Sequence, residues 1–121
     1  MQPEDILERT LHDYLACHPT YMIPLIRAHT FIFRDVGPLS MSHRHYIAIM
    51  AATRHRCSFL VSLSRKEFLA SGGQQDWLKG LAYVPNRIRS LNTINKILAH
   101  QPWMLKTEHF EVNILFKKVF C

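Results

Sequence analysis

Residues 40–73 read SMSHRHYIAIMAATRHRCSFLVSLSRKEFLASGG, two stretches of helical periodicity meeting at a basic junction. Ser40 and Ser42 can each cap a helix start. Tyr46, Ile47, Ile49, Met50 and Ala51 make the first stretch the most apolar part of the chain, until Arg54, His55 and Arg56 interrupt it. Beyond the junction Cys57, Leu60, Val61, Ser64 and Phe68 share one helical face, and Gly72 and Gly73 form a usual helix stop. The pattern predicts helix, short junction, helix.

Working outward, Ile6, Leu7, Leu11, Tyr14 and Leu15 recur at helical spacing between Glu4 and Ala16, with Glu4 and Asp5 favouring the positive helix end. A second helix is predicted from Thr20 to Arg34, where Pro24 is tolerable only in the first turn, and Asp35 to Pro38 end it. On the other side, Gln75 to Leu81 reads as a short helix carrying Trp77 and Leu78. Pro85 then precedes a helix with Ile88, Leu91, Ile94, Ile97 and Leu98, closed by Gln101 and Pro102. From Trp103 the reading is ambiguous, since Val112 to Phe120 is β-branched and aromatic without a partner strand elsewhere. No repeat, low-complexity tract or linker is present, so the expected fold class is all-α with about six helices.

A length of 121 residues suits one domain able to bury roughly two-thirds of its unfolded surface. The net charge of +6 and pI of about 9.6 lean toward acidic partners. Lys and Arg are nevertheless scattered among acids and apolar residues, and the nearest cluster, Arg54 to Arg56, lies beside an apolar run; this argues against nucleic-acid binding. The three cysteines, Cys17, Cys57 and Cys121, are odd in number and far apart, which fits thiols in a reducing compartment. Met1 to Arg9 carries acids where a secretory signal is basic, no apolar run approaches the ~18 residues of a membrane span, and Cys121 is misplaced for prenylation. The expected location is cytoplasmic or nuclear, off the membrane.

Chemistry has its best claim at His55, Arg56, Cys57 and Ser58. A cysteine at a helix start beside cations should have a stabilised, nucleophilic thiolate. The competing reading makes Cys57 a small buried hydrophobe on an apolar face. Position 60 is Leu, so no CxxC pair supplies a resolving thiol; Cys17, Cys121 or an external thiol would have to serve. His43 and His45, and likewise His55 and Cys57, are two residues apart and point to different sides of a helix, so neither metal nor cofactor is expected. Ser58 and Ser64 read as capping or packing residues, and Phe31, Phe33, Trp77 and Trp103 as core.

Gly37 Pro38 Leu39, Arg44 to Ala52, Arg54 His55, Cys57 Ser58 and Leu60 Val61 together resemble the sestrin family. The resemblance continues in one register through Phe68 Leu69, Gly72 Gly73, Trp77 Leu78, Gly80 Leu81, Asn95 Lys96, Leu98 to His100, Pro102 Trp103 and Glu108 His109. It implies a helical fold similar to bacterial alkylhydroperoxidase D, with a helix-turn-helix oxidoreductase motif, in a stress-induced protein that restrains TOR complex 1. Residues 1–111 would form the sestrin N-terminal-like domain and 112–121 a divergent tail, leaving the fold incomplete at its C-terminus.

Cys57 falls on the family's redox cysteine. The family pattern places a tyrosine two residues later and a histidine seven residues later, where this chain has Phe59 and Ser64. A hydroperoxide reductase must protonate a departing alkoxide, which a phenyl ring cannot do. The resemblance therefore implies a regulator of the response to reactive oxygen species and amino-acid starvation, with little peroxidase turnover. The alternative is a thiol-dependent alkyl hydroperoxide reductase using Cys57. The family's C-terminal half, which implies leucine sensing and GATOR contact, has no counterpart here, so those activities are expected to be missing.

Overall fold

The structure, a computed structural model, describes the backbone of residues 3–111 and the side chains of residues 6–110. Its contacts divide into two units, Met1–Gly37 and Pro38–Cys121. The first is a hairpin of α1 (Pro3–Leu15) and α2 (Pro19–Phe33). Half-buried Met22, Ile26, His29, Thr30 and Phe33 succeed one another at three- and four-residue spacing along α2. No residue of α2 is fully buried, although the helix is apolar on most sides. Within this unit α2 packs on α1, and Phe31, expected in the core, is instead 70% exposed. Tyr14 is likewise exposed on α1.

Pro24 lies inside α2, in its second turn rather than its first. The ring removes the N–H that would bond the Thr20 carbonyl. Thr20 and Pro24 are both exposed, so water can take that bond and the helix continues.

The second unit contains α3 (Met41–Arg54), α4 (Ser58–Ala70), α5 (Asn86–Arg89), α6 (Leu91–His100) and α7 (Thr107–Glu111), with 3-10 turns at Gln75–Lys79, Leu81–Tyr83 and Pro102–Met104. Of the two candidate serines, Ser40 caps α3, its hydroxyl accepting from the His43 N–H at 3.4 Å. Helix α3 packs on α4 and α6. Tyr46, Ile49 and Met50 from α3 meet Phe68, Trp77, Val84 and Ile88 in one core. Each such side chain contributes roughly 1.5–3 kcal/mol on burial. The Tyr46 hydroxyl donates to the Trp77 carbonyl at 3.2 Å, tying α3 to the 3-10 segment.

Helices α3 and α4 end alike. The Cys57 N–H bonds the Ala52 carbonyl and the Arg56 N–H bonds that of Thr53; after α4, the Gly73 N–H bonds the Phe68 carbonyl and the Gly72 N–H that of Leu69. Both are Schellman closures, which need a left-handed residue one place past the cap. Gly72 supplies it with φ +88°, whereas after α3 it is Arg56, with φ +52°.

Several expected elements differ in detail. Gln75 to Leu81 forms 3-10 turns interrupted at Gly80 rather than one helix. The helix after Pro85 is divided at Ser90, whose hydroxyl donates to the Arg87 carbonyl at 2.9 Å and so competes with the helical ladder. Trp103, expected in the core, is 76% exposed in the 3-10 turn after α6, and Leu98 is 52% exposed on α6, which buries the face that carries Ile94. The structure is all-α: the described residues contain no strand. The Val112 to Phe120 stretch and the proposed tail lie outside the described residues.

Candidate functional site

Cys57 sits where α3 ends and α4 begins, so its two backbone groups serve different helices. Its N–H closes α3 on Ala52, and its carbonyl accepts the first α4 bond, from the Val61 N–H at 3.0 Å. The side chain is half-buried and outside any disulfide among the described residues, and it makes no cap hydrogen bond. The helix-junction-helix reading and the place of Cys57 at a helix start therefore agree with the structure.

The side chains that could assist the thiol lie in several directions. Phe59 is 47% exposed. Ser64 is half-buried, and because α4 is unbroken from Ser58 to Ala70 it lies about 10 Å along the axis from Cys57. His55 faces the ring of His100, with centroids 6.2 Å apart. Tyr46 is a buried phenol whose pKa is raised by desolvation, and its proton is engaged by the Trp77 carbonyl. Cys17 is an exposed free thiol in the turn after α1, and Cys121 lies outside the described residues.

His43 and His45 diverge as their spacing predicts. The His43 ring stacks on Trp77 at 5.5 Å, while buried His45 meets Glu67 of α4 through Nδ1 at 3.2 Å. Among the described residues, no three His, Cys, Asp or Glu side chains are grouped as for a metal.

Beside the junction the second unit holds a cavity of about 550 Å3. Met50, Trp77 and Leu81 give it apolar walls, and Arg54, Arg56 and Arg65 reach it from α3, the junction and α4. Arg54 is fixed by a 2.8 Å bond from Nη2 to the Asn92 Oδ1. Cys57 is not among the lining residues. Sequence reasoning noticed Arg54 and Arg56 but missed Arg65 and Asn92, which join them only through the α3–α4 and α3–α6 packing. The one available signal was the spacing of Val61 and Arg65, one turn apart on α4.

The described residues are thus a helical chain with a half-buried cysteine at a helix-to-helix junction. Comparison with known proteins narrows this. The family profile described as PA26 p53-induced protein (sestrin) matches residues 6–119, a span that takes in most of the stretch after Val112. The chain is 48% identical to mouse Sestrin-3 and 47% identical to human Sestrin-2 over 97 residues, in each case 80% of this chain and 20% of the relative. To Xenopus laevis Sestrin-1 it is 44% identical over 94 residues, 78% of this chain and 20% of that one. The chain belongs to the sestrin family, and it spans about a fifth of the length of these relatives. Among the described residues no helix is long and apolar enough to cross a membrane.

Proposed function

We propose that this chain is a sestrin-type regulator in the cellular response to reactive oxygen species and amino-acid starvation. It acts by restraining TOR complex 1 through protein partners and has little hydroperoxide turnover of its own. We assign its helices to an alkylhydroperoxidase D-like half-domain over residues 1–111. The observation that carries the low-turnover reading is the surroundings of Cys57: a half-buried thiol without a cap bond, with Phe59 exposed and Ser64 about 10 Å along the axis. Peroxide reduction needs a proton for the leaving alkoxide, and neither residue is placed to give one.

The second reading, a thiol-dependent alkyl hydroperoxide reductase, is favoured by the position of Cys57 at the amino end of α4, the end that carries positive dipole charge. Consumption of cumene hydroperoxide in the presence of a thiol reductant separates the two. The regulatory reading expects the same slow rate from the native chain and Cys57→Ser. Turnover lost in Cys57→Ser and raised by Phe59→Tyr with Ser64→His would establish the reductase. The regulatory reading also expects lowered TOR complex 1 signalling in cells expressing the chain, and unchanged signalling with no partner recovered above background would refute it.

A further inference from the structure

We propose that the cavity between α3, α4 and the 3-10 turns binds a small amphipathic organic anion, its apolar body against Trp77 and its carboxylate held by the arginines. The volume, about 550 Å3, falls within the roughly 300–1,000 Å3 typical of sites for small organic ligands. Apolar walls with a few convergent polar groups are the usual composition of such sites.

Charge decides the ligand class. Three guanidinium groups reach one cavity, and among the described residues none of them is paired with a carboxylate. Arg54 alone has a side-chain partner, and that partner is the neutral amide oxygen of Asn92. The bond holds one edge of the guanidinium, and the remaining N–H donors stay available in a fixed plane. An anionic oxygen head satisfies them, and an apolar body replaces water over the indole.

Arg56 adds an independent reason. Its backbone occupies the left-handed conformation, where glycine sits at least cost, so the arginine there is not explained by the closure of α3. Its side chain nonetheless lines the cavity. Strained positions of this kind persist where the side chain has other work.

The chain has two tryptophans, and Trp103 is exposed in the 3-10 turn after α6. In Trp103→Phe, therefore, Trp77 is the sole indole and reports the cavity. Decanoate should produce a saturable change in its fluorescence, and decanol, the neutral counterpart, should bind at least tenfold more weakly. Arg54→Gln with Arg65→Gln should weaken decanoate by roughly tenfold or more, the loss expected for charge-assisted hydrogen bonds, and leave decanol unchanged. Arg65→Gln alone touches an exposed side chain without a hydrogen-bond partner among the described residues, so it tests the same point with the fold intact. Arg56→Gly should weaken decanoate while raising thermal stability, a pairing that a purely structural arginine would not give.

Equal affinity for decanoate and decanol, arginine variants that bind decanoate like the parent, or the absence of any saturable change would each overturn the proposal. The titration reads neither turnover nor signalling, so its failure would leave the regulatory reading standing.

Discussion

Adding a single methyl group at Gly73 should strongly destabilise the core around α4. A Cβ there would lie 2.3 Å from Phe68 Cε2 and 2.5 Å from its Cδ2 and Cζ, where carbon atoms ordinarily approach to about 3.5–4.0 Å. The ring has nowhere to retreat. Phe68 is 0% exposed, with the rings of Tyr46 and Trp77 centred 5.6 Å and 5.8 Å away. The backbone is equally held, because the Gly73 N–H closes α4 on the Phe68 carbonyl at 2.9 Å. Overpacking of a core costs about 1–3 kcal/mol, and an overlap of this depth belongs at the upper end. At about 4–8 °C per kcal/mol for a unit of this size, the thermal midpoint of Gly73→Ala should fall by on the order of 12–24 °C. Circular dichroism melting reads this directly. Phe68→Leu, costing about 1–2 kcal/mol alone, removes Cε2 and Cζ, two of the three atoms that clash. The double variant should therefore lose less than the two single losses combined, with a coupling of about 1 kcal/mol or more. Strictly additive losses, or a Gly73→Ala midpoint equal to the parent's, would refute the reasoning.

Two further outcomes concern the junction and the hairpin. Arg56→Gly relieves a left-handed non-glycine residue and should stabilise the chain by about 0.5–1 kcal/mol, whereas Gly72→Ala introduces the same strain and should lower the denaturant midpoint. His29 has its pKa lowered from 6.5, first by desolvation and then by Arg34, with Glu8 opposing. The unfolded chain therefore takes up a proton at higher pH than the folded hairpin does, and the stabilising contribution present above 6.5 is lost as pH falls below it. Denaturation between neutral pH and the carboxylate range should show a shallower acid loss in His29→Gln than in the parent.

The sequence made the main helices legible because their apolar spacing is strong and their stops conventional. It placed Cys57 at a helix start for a sound reason, since Arg54 to Arg56 break the apolar run of α3. What it could not show is how that break is made, because a left-handed turn is ordinarily marked by glycine and here the residue is Arg56. Pro24 misled for the opposite reason: proline argues for a first turn, yet an exposed carbonyl at Thr20 can be satisfied by water one turn further in. The aromatic residues divide by geometry rather than by type. Trp77 is enclosed with Tyr46 and Phe68 in the core of the second unit, while Phe31 and Trp103 stand exposed on their own elements. The arginine-lined cavity was invisible because Arg56 and Arg65 are drawn together by the α3–α4 contact and not by their spacing.

The junction also determines what Cys57→Ser will mean in a turnover assay. Cys57 does its structural work through its N–H to Ala52 and its carbonyl to Val61, and any residue other than proline supplies both. Its thiol leaves the first turn of α4 uncapped, whereas serine is among the best N-cap residues. Cys57→Ser should therefore match the parent's stability or exceed it by up to about 1 kcal/mol. A loss of turnover in that variant is then a loss of chemistry, not of structure. A marked fall in its thermal midpoint would instead mean that the thiol contributes packing at the junction, and the same variant could no longer separate a reductase from a regulator.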